Sequence, residues 1–245
     1  MAVLVTRPHP DSATTAAALR ARGYEVMLAP LLRFEPVACS GLDADYGAVL
    51  ATSANALRAV EGQLGEALLK LPLFAVGEAT AAAASKTGFG KVTAADGDAA
   101  ALRDLVLAGV KKRQFRKSDA LLYLAGHDLS RDLASELGAD GLSVVTVTTY
   151  RMAALSHLPR EVCDAFAANT IQAVLHYSQR SARVFLDASR AEGVEVSALA
   201  VPHCCLSPNI AAVLHEAGAQ VFSAASADEK ALFAALERAL RSQSA

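Results

Sequence analysis

The sequence has no tryptophan, and aromatic residues make up only 5% of its 245 positions. It also lacks a cationic excess: the net charge is −2, which argues against a general polyanion binder. The one basic cluster, Lys111, Lys112, Arg113, Arg116 and Lys117, follows a helix-length stretch at 99–109 with only Phe115 interleaved. It reads as a solvated helix end whose cations suit the helix dipole. No nucleic-acid or membrane partner is expected. Cysteine is scarce, and Cys39, Cys163, Cys204 and Cys205 have no framework spacing, so nothing requires an oxidising compartment. Largely apolar runs such as Val144–Val147, with Thr146 inside it, and Ala198–Val201 are strand-sized, far below the roughly 18–20 residues of a membrane span. The opening MAVLVTRPHP lacks a charged n-region and a cleavable h-region. A cytoplasmic protein is the expectation.

Several catalytic signatures are also missing. No G-x-G-x-x-G follows the first strand, no G-x-x-x-x-G-K-[ST] occurs, and no G-x-S-x-G elbow appears. Dinucleotide, P-loop and serine-elbow chemistry are therefore disfavoured. His203-Cys204-Cys205 resembles a metal nucleus, but on a strand only His203 and Cys205 share a face, and no second ligand pair stands elsewhere. These residues, and His176 at a strand end, are read as core packing. No metal and no cofactor are expected.

What the chain does contain is a shuffled repeat. Residues 49–60, VLATSANALRAV, echo 174–185, VLHYSQRSARVF. Residues 75–102 echo 205–232 at a constant offset, matching Gly88 with Gly218 and Asp98 with Asp228. Residues 4–33 echo 122–151, matching His9 with His127 and Gly23 with Gly141. Each unit reads as a buried strand, a small polar turn and an Ala/Leu-rich helix. Helix-length stretches fall at 11–22, 54–70, 78–87, 99–109, 129–138, 160–168, 179–191, 208–217 and 228–241, several ending at glycine: Gly23, Gly88, Gly193 and Gly218. Strands are expected between them, with 197–201 or 203–206 as alternatives for one. The expected fold class is α/β: two similar lobes of parallel sheet wrapped by helices, with a cleft between. The residue pattern leaves open whether each lobe joins neighbouring units or one lobe combines both chain ends.

The turns carry the candidate chemistry. Strand ends repeatedly present a small or hydroxyl residue that opens a helix: Thr6-Arg7, Thr52-Ser53-Ala54-Asn55, Gly77-Glu78-Ala79-Thr80, Gly126-His127, Tyr177-Ser178 and Ser207-Pro208-Asn209. In parallel sheets such turns share one edge and offer free N–H groups and positive dipole ends. Any one of them is explained by helix capping. Their repetition points to a ligand with several carboxylates or phosphates. Tyr150, ending a strand beside Arg151, could hydrogen-bond a leaving group; a tyrosine covering the linker is the ordinary alternative.

The ordered set V-L-V-T-R-P at the N-terminus, T-S-A-N-A at 52–56, F-A-V-G-E-A-T-A at 74–81, L-A-G…R…L at 124–133 and T-T-Y-R at the crossover, with turns at 177–182 and 206–211, resembles uroporphyrinogen-III synthase. The resemblance covers essentially the whole chain. It implies cyclisation of hydroxymethylbilane, a linear tetrapyrrole with eight carboxylates, with loss of water and inversion of ring D, without cofactor or metal. It implies one discontinuous lobe, 1–34 plus 153–245, a second lobe at 38–149, and a two-stranded linker at 35–37 and 150–152. It casts Tyr150 as the phenol assisting hydroxide departure, and Thr52, Ser53, Asn55, Gly77, Thr80, Ser178 and Ser207 as turn residues lining the cleft; Thr6, Arg7, Gly126, Tyr177 and Asn209, from the other polar turns, complete the substrate-binding candidates. It further implies a cytoplasmic monomer that takes its substrate by transient hand-over from hydroxymethylbilane synthase. Ser207-Pro208-Asn209-Ile210 and Tyr177-Ser178-Gln179-Arg180 depart from the family's usual turns. A non-catalytic, two-lobed module binding a tetrapyrrole or another polyanion is the alternative reading.

Overall fold

The computed structural model describes residues 1–129 and 131–242. The chain divides into two compact units: Met1–Arg33 with Ala153–Ala245, and Phe34–Met152.

The first unit contains β1 (Ala2–Val5), α1 (Asp11–Arg20), β2 (Glu25–Leu28), α7 (Arg160–Ala167), β9 (Ile171–His176), α8 (Gln179–Ala191), α9 (Glu195–Leu199), β10 (His203–Cys205), α10 (Pro208–Glu216), β11 (Val221–Ser223) and α11 (Glu229–Ser242). Its sheet runs β2-β1-β9-β10-β11, and its neighbouring strands pair in parallel. Alternation sends Leu4, Val174 and Cys205 to one face, under α7 to α10. Val3, Val5, Leu175 and Cys204 go to the other, against Leu19, Leu232, Phe233 and Leu236 of α1 and α11. Strands covered on both faces read as unbroken apolar runs, as AVLV and AVLH do here.

The second unit contains β4 (Ala48–Ala51), α2 (Ala54–Ala59), α3 (Glu66–Leu69), β5 (Pro72–Ala75), α4 (Glu78–Thr87), β6 (Lys91–Ala94), α5 (Ala99–Lys111), β7 (Ala120–Gly126), α6 (Leu133–Ala139) and β8 (Ser143–Ala154), with β3 (Leu32–Pro36) beside β8. The sheet order is β3-β8-β7-β4-β5-β6. Val49, Ala51, Leu122 and Leu124 face one helical layer. Leu50, Phe74, Leu121 and Tyr123 face α5 and α6.

The sequence echoes match β1, β2, β9, β10 and β11 with β7, β8, β4, β5 and β6. Both sheets then have the same strand order, and the second unit is the first with its βα units circularly permuted. Local chemistry sets the element ends in both. Asp98 and Ser178 accept the backbone N–H groups of Ala101 and Ser181. Gly23, Gly88, Gly193 and Gly218 all take positive φ after their helices.

Three expectations need correction. The stretch 54–70 is two short helices, because Gly62 turns left-handed at φ 74 and Gly65 starts the second. Residues 197–201 are not a strand: Glu195–Leu199 is helical, and the strand is His203–Cys205. The 129–138 stretch becomes helical only after Asp132, whose carboxylate accepts Ser135 N–H; position 130 lies outside the described residues. Residues 35 and 36 lie in the edge strand β3, which pairs with β8, and Pro36 is tolerated at its end. Val37 N–H bonds to Thr149 O at 2.8 Å beside that strand.

Candidate functional site

In open parallel sheets, ligands bind beyond the carboxyl ends of the strands where strand order reverses. In the second unit that point lies between β4 and β7. A cavity of about 420 Å³ opens there, lined by Thr52, Ser53, Tyr123, Gly126 and Tyr150, with Gly97, Asp98, Ala99 and Arg131 among its rim. Four of the sequence-derived candidates, Thr52, Ser53, Gly126 and Tyr150, therefore meet in one place.

Tyr150 follows a register shift between Ala125 and Gly126 that sets Gly126 opposite Tyr150. Its carbonyl accepts His127 N–H at 2.8 Å. Its ring packs on Phe34 with centroids 5.5 Å apart. A Cβ on Gly126 would lie 2.7 Å from Tyr150 Cζ, so glycine is what admits the phenol here. Ser53 caps α2 by accepting Asn55 N–H at 3.2 Å. Thr52 Oγ1 pairs with Tyr123 Oη at 2.8 Å. Tyr123 is 2% exposed, and burial pushes its phenol above the ordinary value. Arg131 is held cationic by the Glu136 carboxylate, 2.5 Å from its Nε, and supplies positive charge at the rim.

Three candidates of this unit stand apart from the cavity lining. Asn55 accepts Arg58 Nη1 at 2.7 Å. Gly77 caps α4 in extended conformation, and Thr80, 5% exposed, packs inward from that helix.

In the first unit the equivalent edge is filled by its own side chains. Thr6 is fully buried and donates to Leu175 O at 2.8 Å. Arg7 pairs with Asp11 at 2.9 Å and with Glu229 at 3.5 Å, and it lies over the Tyr177 ring. Tyr177 Oη donates to Glu229 at 3.2 Å, and Thr15 Oγ1 donates to the same oxygen at 2.5 Å. Burial, with the Glu229 charge adding to it, raises the Tyr177 phenol strongly. Ser178 caps α8, Ser207 starts α10 without a side-chain cap bond, and Asn209 offers its carbonyl to Gln179 Nε2.

Among the described residues no group of three or more His, Cys, Asp or Glu side chains could hold a metal ion. His203, Cys204 and Cys205 are buried, and burial pushes both thiols up to about 12. No helix of the described residues is long and apolar enough to cross a membrane.

Sequence reasoning missed Tyr123, Asp98, Ala99 and Arg131 as lining residues. The polar-tipped aromatic in the aliphatic run ALLYLAG was a usable signal for Tyr123. The arginine of L-A-G…R…L was another.

A sequence model described as uroporphyrinogen-III synthase HemD matches residues 13–234. No curated protein matches the chain in sequence. Among solved structures, uroporphyrinogen-III synthetase from Helicobacter pylori is similar with TM-score 0.61, at 17% identity over 97% of this chain and 98% of that one. A mutant uroporphyrinogen III synthase from the extremely thermophilic bacterium Thermus thermophilus gives TM-score 0.57, at 16% identity over 99% and 100%. At such identities these two structures speak for the fold.

Proposed function

From the premise that this chain belongs to the uroporphyrinogen-III synthase HemD family, we propose that the second-unit cavity holds the reacting end of its substrate. The reaction is the lyase-type cyclisation of hydroxymethylbilane in tetrapyrrole biosynthesis. The observation that carries the proposal is the convergence of Tyr150, Thr52 and Ser53 at the strand-order reversal, in a cavity with an arginine at its rim.

The chemical task is departure of hydroxide from ring A, then attack by ring D at its substituted carbon, inversion of that ring and closure. Tyr150 donates its O–H to the departing oxygen, so that it leaves as water rather than as a free anion. Backbone N–H groups and the hydroxyls of Thr52 and Ser53 hold carboxylates and fix the ends of the chain near each other. Most of the acceleration on this reading is proximity and orientation. Gly126 serves by leaving room for Tyr150. A cytoplasmic monomer taking its substrate from hydroxymethylbilane synthase completes the proposal.

The test is a coupled assay in which freshly made hydroxymethylbilane meets the purified protein and the oxidised uroporphyrin isomers are separated. Isomer III should dominate. Tyr150→Phe should lower turnover about 10-fold or more with substrate affinity held. Isomer I at the protein-free rate would leave a binding module as the better account, and an unchanged Tyr150→Phe rate would remove that phenol from the mechanism.

A further inference from the structure

The two units answer the same structural question in different ways. In the first, the helix cap Asp228 is followed by Glu229, whose carboxylate receives the hydroxyls of Tyr177 and Thr15 at the strand-order reversal. In the second, the equivalent cap Asp98 is followed by Ala99, and a cavity stands open. Thr52 is the repeat equivalent of Tyr177. The first unit thus supplies the Glu229 carboxylate to a hydroxyl at this position, and the second has the hydroxyl with Ala99 in the place of that glutamate.

Thr52 has one hydrogen-bond partner among the described residues, Tyr123 Oη at 2.8 Å. Either oxygen of that pair could donate; the phenol is the stronger acid, which favours Tyr123 as donor and Thr52 as acceptor. Burial keeps the phenol protonated and able to donate. Tyr123 itself is fixed in β7, 2% exposed and packed among Leu50, Leu121 and Phe74. With its oxygen anchored from behind, Thr52 retains its own O–H as a donor, and a donor that is also an acceptor is strengthened by the chain. Threonine is stiff at χ1, which holds the direction.

We infer that Tyr123 is a positioning residue: it donates to Thr52 Oγ1 and so aims the threonine O–H into the cavity, at a carboxylate of the tetrapyrrole. That carboxylate occupies in the second unit the place the Glu229 side chain fills in the first. The inference rests on the functional reading above and adds to it a residue that the turns alone do not reveal.

Two measurements test it on the full-length protein: kinetics with hydroxymethylbilane, and binding of uroporphyrin III, a stable octacarboxylate, by fluorescence. Tyr123→Phe should raise KM and weaken uroporphyrin binding about 3- to 10-fold with kcat within about twofold. Thr52→Val should do the same, Thr52→Ser should restore affinity, and the double variant Tyr123→Phe/Thr52→Val should be no worse than Thr52→Val alone. A purely structural Tyr123 would lower the melting temperature and leave KM and affinity unchanged, which overturns the inference. Additive losses in the double variant overturn it too. If the wild-type protein makes no isomer III the functional reading fails, while the uroporphyrin affinities still decide the role of Tyr123.

Discussion

Asp98 and Asp228 perform the same act in the two units: each carboxylate accepts the backbone N–H three residues on, from Ala101 at 2.7 Å and from Ala231 at 2.8 Å. The residue after each cap differs. Glu229 reaches across its sheet edge to Tyr177, Thr15 and Arg7. Ala99 reaches nothing and lines the cavity.

Ala99→Glu should therefore block the second-unit site without harming the fold. A glutamate in the first turn of a helix is favoured by the dipole, so stability should stay within about 0.5 kcal/mol. The new carboxylate would repel those of the substrate, and KM should rise roughly 10-fold or more. Unchanged KM with a normal melting curve would show that substrate does not enter this cavity.

The buried pair His176 and His203 makes acid a specific threat to the first unit. His203 Nε2–H donates to Ala198 O at 3.0 Å, which leaves its Nδ1 to accept from His176 Nε2–H at 2.9 Å. Both rings are neutral in this arrangement. Burial lowers His203 to about 4, and burial with the neighbouring His203 lowers His176 well below its ordinary value. Folded pKa values below the unfolded value near 6.5 mean that the unfolded chain binds more protons below that pH. Stability is then fully present above about pH 6.5 and falls as pH drops toward 4, by about 1.4 kcal/mol per pH unit for each proton taken up. Urea midpoints at pH 7.5, 6 and 5 should decline. The double variant His176→Phe/His203→Leu should decline less steeply, and equal slopes in the two proteins would exonerate the pair.

Gly126→Ala should act on Tyr150 rather than on the fold. The added Cβ would sit 2.7 Å from Tyr150 Cζ and 2.8 Å from its hydroxyl, so the ring must move. Tyr150 is only partly buried, and a side chain there can yield. Turnover should fall by about the same roughly 10-fold factor as in Tyr150→Phe, and combining the two changes should add little. Full activity in Gly126→Ala would show that the position of the phenol does not matter.

The local layer of this structure was legible in the sequence. Apolar stretches followed by small polar turns marked strands, Ser53 and Ser178 stood in turns that open helices, and Gly23, Gly88, Gly193 and Gly218 marked helix ends. These signals depend on φ preference, short-range hydrogen bonds and side-chain periodicity, all fixed within a few residues of the chain. The repeat echoes went further, because equivalent units fold to equivalent strand orders.

What tertiary structure decided is which polar groups meet. Thr52 and Tyr123 are far apart in sequence and adjacent only because β4 and β7 pair, with Leu50 opposite Tyr123. Thr6 and Thr52 both follow apolar strands, yet Thr6 turns onto Leu175 O while Thr52 faces a cavity. Arg7 looks like a free cation in sequence and is engaged by Asp11 and Glu229 in the fold. A hydroxyl or a guanidinium is available to a ligand only if no nearer partner satisfies it. Which partner is nearer is set by strand order, and strand order is a property of the whole chain.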